Sequence, residues 1–153
     1  MSTNLTQIQV KRLNENALIP TRNKKTDAGI DIYASENCFI PLNGTAIIKT
    51  GIAILIPEGF VGKIEDRSSL AAKGLRTGAG VVDAGYAGEV GIVLHNLTNK
   101  TSLSKDGKPG FEVLRGDKVA QLLLYKVETP NVQEIKELWS SERGNKGFGS
   151  SGR

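Results

Sequence analysis

The stretch TAIIKTGIAILI, residues 45–56, decides the fold. It is rich in β-branched residues, whose stiff side chains favour extended backbone over helix. Gly51 interrupts it, so it reads as two short strands rather than one long one. Pro57-Glu58-Gly59 then marks a turn, and residues 61–65 (VGKIE) alternate as a half-buried strand does. Working outward, Ile30, Ile32 and Ala34 alternate with Asp31 and Tyr33, and residues 89–94 and 119–127 supply further strands. Asn43-Gly44, Asp106-Gly107 and Arg115-Gly116-Asp117 are turn signals between them. Short strands at such regular spacing predict an all-β sandwich or barrel. Only residues 68–73 (SSLAAK) read as helix, with Ser68 or Ser69 as N-cap and Gly74 as the stop. Residues 99–110 (NKTSLSKDGKPG) are polar and read as an exposed loop.

The totals agree with one soluble domain. The chain has 153 residues, 39% hydrophobic and 24% charged, with 18 glycines that favour turns. A net charge of +4 comes from scattered Lys and Arg, which suits a small polyanionic ligand better than a nucleic-acid duplex. Aromatic content of 5% argues against a single-strand binder, so no nucleic-acid partner is expected. One Cys, Cys38, and one His, His95, allow neither an internal disulfide nor a metal site of the Cys/His type. No apolar run approaches the ~18 residues of a membrane span, and the N-terminal residues show no signal-peptide core. The expectation is a cytoplasmic protein without a membrane partner.

Chemistry concentrates in GVVDAGYAGEV, residues 80–90. An apolar strand end delivers Asp83, and Tyr86 follows three residues later. The segment reads as a β-hairpin with an acid and a ring near its tip. Gly85 and Gly88 are read as turn glycines adopting angles that other residues avoid. Bare backbone beside an acid suits a nucleobase or sugar held next to a general base; the plainer reading is an Asp capping an ordinary turn. Four other segments carry complementary groups. Asp27 and Asp31 flank a glycine at a strand entrance, where acids can hold the water shell of Mg²⁺ or simply serve a turn. Asp66, Arg67, Ser68 and Ser69 stand at the helix N-terminus, where a cation and two hydroxyls meet an anion or only provide a cap. Gln121 interrupts an apolar strand and, if buried, needs a partner in the core or on a ligand. The tail SSERGNKGFGSSGR, residues 140–153, has four glycines, four serines and Phe148, too little apolar surface to fold alone. It reads as a disordered tail or as an arm that orders on a ligand.

In this order the five segments resemble the five motifs of the trimeric dUTPase family: AGIDIYA at 28–34, RSSLAAKG at 67–74, GVVDAGYAGEV at 80–90, GDKVAQ at 116–121 and RGNKGFGSSG at 143–152. The resemblance implies a jelly-roll-like β-barrel over residues 1–139 and a flexible C-terminal arm over 140–153. It also implies a homotrimer with active sites at its subunit interfaces. The implied reaction is hydrolysis of dUTP to dUMP and pyrophosphate with Mg²⁺. Asp83 would activate the water attacking the α-phosphorus. Tyr86 would pack under the deoxyribose. Backbone from Gly80 and Val81 to Tyr86 would read the uracil edge, and Asp31 would hold Mg²⁺ through water. Arg67, Ser68, Ser69 and Gln121 would meet the phosphates. From the arm, Phe148 would stack on uracil, while Arg143, Gly149, Ser150 and Ser151 would close on the substrate. The chain departs from the common pattern at Ser69, where glycine is frequent, at Gly85, where an acid is, and at Ala87, where a basic or polar residue is.

Two rival readings remain distinct. A dCTP deaminase resembles this pattern too, but needs a glutamate on the strand after the Asp-Gly-Tyr segment, and Val93 stands there and cannot shuttle protons. A regulatory binding module is the other, with residues 99–110 as a candidate contact surface. Leu138 and Trp139 before the tail read either as its root on a neighbouring subunit or as core.

Overall fold

The chain forms twelve short strands and one helical turn in a computed structural model that describes residues 7–98, 102–103, 106–140 and 144. The strands are β1 Gln9–Arg12, β2 Ile30–Tyr33, β3 Cys38–Pro41, β4 Thr45–Ile48, β5 Ile52–Leu55 and β6 Phe60–Glu65. After α1, Ser68–Ala71, come β7 Leu75–Gly78, β8 Val81–Val82, β9 Ile92–Asn96, β10 Ser102–Leu103, β11 Pro109–Val113 and β12 Lys118–Lys126. All pairings are antiparallel, in four sheets ordered β1-β5, β10-β11-β3, β2-β12-β6-β8 and β4-β9-β7. This is the all-β, jelly-roll-like architecture expected, with a single short helix.

The stretch at 45–56 becomes β4 and β5, and Gly51 takes φ +65°, the left-handed turn that separates them. Period-two burial then fills the barrel. Ile52 and Ile54 point inward from β5, Ile92 and Leu94 from β9, and Ile32 from β2, all within 2% of complete burial. Each such side chain removed from water stabilises the fold by about 1.5–3 kcal/mol. Asn96, fully buried on β9, is satisfied: its amide donates to the Ile40 carbonyl at 3.0 Å and accepts from the Thr98 N–H at 3.1 Å.

Several expectations are corrected. The stretch 99–110 is not all loop: Ser102–Leu103 form β10, Pro109 and Gly110 open β11, and residues 110–113 pair with β3, with Gly110 and Val113 buried. Residues 89–91 do not belong to β9, which starts at Ile92; the Glu89 side chain is engaged elsewhere. Residues 80–90 do not form a laddered hairpin. Val81 and Val82 pair with Lys63 and Gly62 of β6, not with the returning limb. The helix is capped by neither serine. Arg67 occupies the N-cap with extended backbone and no side-chain capping bond. The helix is shorter than the expected 68–73: it ends at Ala71 with Ala72 as its C-cap, and Gly74, at φ +91°, closes the turn that follows. Among the described residues strand structure ends at Lys126. Beyond it Leu138 and Trp139 are 82% and 84% exposed, so neither is core in this chain.

Candidate active site

The centre of β12 builds the first pocket. Gln121 faces Asp31 of β2 on one side and Glu65 of β6 on the other. Its side-chain amide donates to the Asp66 carbonyl at 2.8 Å, which supplies the partner a part-buried amide needs. Asp66 is itself pinned. Its carboxylate accepts from the Thr77 N–H at 2.6 Å and hydroxyl at 2.8 Å, and meets Arg76 Nε at 2.6 Å. Asp66 thereby fixes the backbone from which Arg67 projects.

Arg67 Nε reaches Asp31 Oδ1 at 3.1 Å, and Lys118 Nζ reaches Asp31 Oδ2 at 2.7 Å. The hydrogen bond to Asp31 holds the Lys118 ammonium above its ordinary pKa, against the smaller opposing effect of burial. Asp31 thus gathers two cations at the wall of a polar cavity of about 560 Å³, with Ser68, Ser69 and Gln121 also lining it. Asp27 lines it too, but its carboxylate accepts the Lys24 N–H at 3.0 Å, a turn contact. Lys118 was missed as a site residue. It lies inside the GDKVAQ segment, yet only the long-range pairing of β2 with β12 brings it to Asp31. Gly29 borders the same cavity, and a Cβ there would run into the Gln121 side chain.

The second pocket, about 210 Å³, is lined by Ile64, Val81, Asp83, Tyr86, Glu89 and Gly91 among others. Asp83 stands just past β8 with its carboxylate exposed. Gly80 lets the chain lie against β6, since a Cβ there would sit 2.6 Å from the Ile64 carbonyl oxygen. Gly85 and Gly88 do not have positive φ, contrary to expectation. Gly88 is needed for space instead: an added Cβ would meet Tyr86 Oη at 2.6 Å, whereas one on Gly85 would meet nothing within 4 Å. Tyr86 folds back so that its hydroxyl donates to the Glu89 carbonyl at 2.7 Å.

Glu89 was also missed. Its Oε1 accepts the Thr50 N–H at 3.1 Å and the Gly51 N–H at 2.8 Å, and its Oε2 lies 3.3 Å from Lys49 Nζ. Burial pushes this carboxyl upward, but the Gly51 amide, the Lys49 ammonium and the Thr50 amide together hold it below its ordinary pKa.

The two pockets share no lining residue. Val82 pairs with Gly62 and Gln121 with Glu65 of β6. β12 and β8, which carry Gln121 and Val82, flank β6 on its two edges, about 9–10 Å apart across the sheet. Val93, the position a deaminase would need, pairs with Ile47 and Gly78 in the β4-β9-β7 sheet. Arg143, Phe148, Gly149, Ser150 and Ser151 lie outside the described residues. Among the described residues no group of three or more Asp, Glu, His or Cys is arranged to hold a metal by itself, and no helix is long and apolar enough to cross a membrane.

An all-β barrel with a cation-lined polar cavity and a separate acid-and-ring pocket defines a protein built for a small phosphorylated ligand. The dUTPase family model matches residues 15–152, and the chain belongs to that family. It is 43% identical to the deoxyuridine 5'-triphosphate nucleotidohydrolase of Candida glabrata over the whole of both chains. It is 41% identical to the mitochondrial human enzyme of that name, over 96% of this chain and 55% of the human one, so it spans about half of that relative's length. Among solved structures, a variant dUTPase of Staphylococcus bacteriophage 80alpha with dUpNHpp superposes with a TM-score of 0.86 at 37% identity, covering 97% of this chain and 99% of that one.

Proposed function

We propose that this chain hydrolyses dUTP to dUMP and pyrophosphate, which limits uracil incorporation into DNA and supplies dUMP. The observation that carries the reading is the division of the motif residues between two pockets: acid and ring in one, cations, hydroxyls and amide in the other. A nucleoside triphosphate is a ligand that needs both. Asp83 takes the proton of the attacking water at its exposed carboxylate. Tyr86 supports the deoxyribose. Backbone from Gly80 to Tyr86 meets the uracil edge. Cytosine presents the opposite donor and acceptor pattern, and a site built for hydrogen bonds rejects such analogues by roughly 10⁴-fold. Arg67, Ser68, Ser69 and Gln121 bind the phosphates.

The donor set also suits Mg²⁺ carried in by the nucleotide. Both Asp31 oxygens are engaged by cations, so Asp31 would hold such an ion through its water shell, as Mg²⁺ bound mainly to substrate phosphates allows. The ion supplies charge neutralisation of the triphosphate as pyrophosphate leaves.

The active form is a homotrimer whose sites lie between subunits. Within one chain the two pockets share no lining residue, which supports sites completed by a second subunit. Exposed apolar side chains support this reading. Ile47 on β4 is 62% exposed, and Val132 and Leu138 beyond the last strand are 101% and 82% exposed. Residues 1–139 form the barrel unit, and residues 140–153 the arm that closes over a site with Arg143, Phe148, Gly149, Ser150 and Ser151. The reading of this chain as cytoplasmic rests on its sequence, since one relative carries a mitochondrial name.

Gly29→Ala is expected to displace the Gln121 side chain and raise the KM for dUTP about 10–100-fold, the worth of one hydrogen bond to a charged group. Its thermal midpoint should move little, because Gly29 is only part-buried at the rim of the cavity. Steady-state kinetics and melting curves separate the two effects. The function itself is tested with dUTP, dCTP, dTTP and UTP plus Mg²⁺, following pyrophosphate and ammonia. Pyrophosphate from dUTP alone is expected. Ammonia from dCTP moves the chain to the deaminase reading, and silence on all four leaves the regulatory module.

A further inference from the structure

Among the described residues, the backbone of residues 83–88 makes one hydrogen bond, from the Tyr86 N–H to the Asp83 carbonyl at 3.1 Å. The loop that carries the acid and the ring is therefore held mainly at its two ends. The entry is paired to β6. The exit is fastened to the turn between β4 and β5 by four bonds. Glu89 Oε1 accepts two of them, from the Thr50 and Gly51 amides. The Thr50 hydroxyl donates to the Val90 carbonyl at 2.6 Å, and the Val90 N–H to the Ile52 carbonyl at 2.9 Å. Thr50 is completely buried and Gly51 is buried, so their amides depend on Glu89 rather than on water.

Among the described residues the Tyr86 side chain is tied by hydrogen bond to this clasp alone, through its hydroxyl on the Glu89 carbonyl. The linkage runs from the Gly51 turn through the Glu89 carboxylate and backbone to the Tyr86 ring. Both residues line the 210 Å³ pocket. Resting on the dUTPase reading above, we infer that Glu89 is a positioning residue that seats Tyr86 against the nucleoside and so sets base and sugar selectivity. It does this as a hydrogen-bond acceptor, not through proton transfer. Both amide bonds fall on one oxygen, and the other oxygen meets only Lys49, whose side chain is 54% exposed.

That geometry makes the amide variant a rescue. Glu89→Gln keeps an Oε1 acceptor for Thr50 and Gly51 and loses only the Lys49 contact. It should stay within about threefold of wild type. Glu89→Ala should lower the ratio of kcat/KM for dUTP over dCTP and over UTP by at least about tenfold, mostly through KM for dUTP. Tyr86→Phe cuts the link above an intact clasp and tests the idea even where Glu89→Ala folds poorly. It should lower the same ratios, and it should add nothing further in the double variant. Unchanged selectivity in Glu89→Ala or in Tyr86→Phe overturns the inference, whatever the melting temperature does. So does a Glu89→Gln variant as impaired as Glu89→Ala, which would place the role in the charge. A wild type silent on dUTP sinks the parent reading instead, so the two failures are distinguishable.

Discussion

Asp83→Asn is expected to lower kcat for dUTP by about 10²–10⁴-fold, the usual worth of one well-placed general base, while KM moves little. The amide has the shape of the carboxylate but cannot accept the proton of the attacking water. The variant should also fold normally. Asp83 is exposed, its side chain satisfies no donor among the described residues, and the strand before it is fixed by the pairing of Val82 with Gly62. Melting curves matching wild type, beside pyrophosphate release lost from the burst and the steady state alike, are the expected pair. A variant keeping more than about a tenth of wild-type kcat would move the base elsewhere. Glu89 is the other carboxylate in that pocket, and it is poorly suited: two amides and an ammonium hold it in its ionised form and occupy its oxygens.

The sequence carried the architecture because β-branched runs and turn residues are local signals. The stretch at 45–56 announces two strands, and Gly51 announces the break, from neighbours alone. What it did not carry is pairing. Pro109 and Gly110 look like the end of a polar loop, since both are weak strand formers, and they open β11 with β10 and β3 on either side. The same limit hides Lys118 and Glu89. Each lay inside a segment already singled out, but Lys118 matters through Asp31, 87 positions away, and Glu89 through Gly51, 38 positions away. Gln121 was legible for the opposite reason, as one amide among leucines asks for a partner whatever the fold. Gly88 was singled out for the wrong property: its φ is ordinary, and what it provides is room for a ring three-dimensionally adjacent to it. Sequence shows that a glycine is present, and only packing shows whether conformation or space requires it.

Mixing two dead variants should restore activity. Asp83→Asn removes the base and leaves the phosphate cavity intact. Arg67→Ala removes a cation from that cavity, with an expected loss of about 10²–10³-fold, and leaves the base intact. Within one chain the two residues line different pockets, which is the ground for expecting each site to combine them from two subunits. The proposed site between subunits would take Asp83 from one copy and Arg67 from another. If the variants are co-refolded in equal amounts into closed rings, about a quarter of the sites receive both intact residues by chance. Activity near a quarter of wild type is then expected from a mixture whose separate components are each nearly silent. A mixture as inactive as its parts, with subunit exchange confirmed by a tagged copy, would place both residues in one subunit's site and remove the argument for a shared one. The wild-type ring diluted with Asp83→Asn gives the matching control, since its activity should fall in proportion to the copies of Asp83 lost. The same experiment distinguishes a trimer needed for catalysis from one that merely forms, because stability of the assembly alone rescues neither variant.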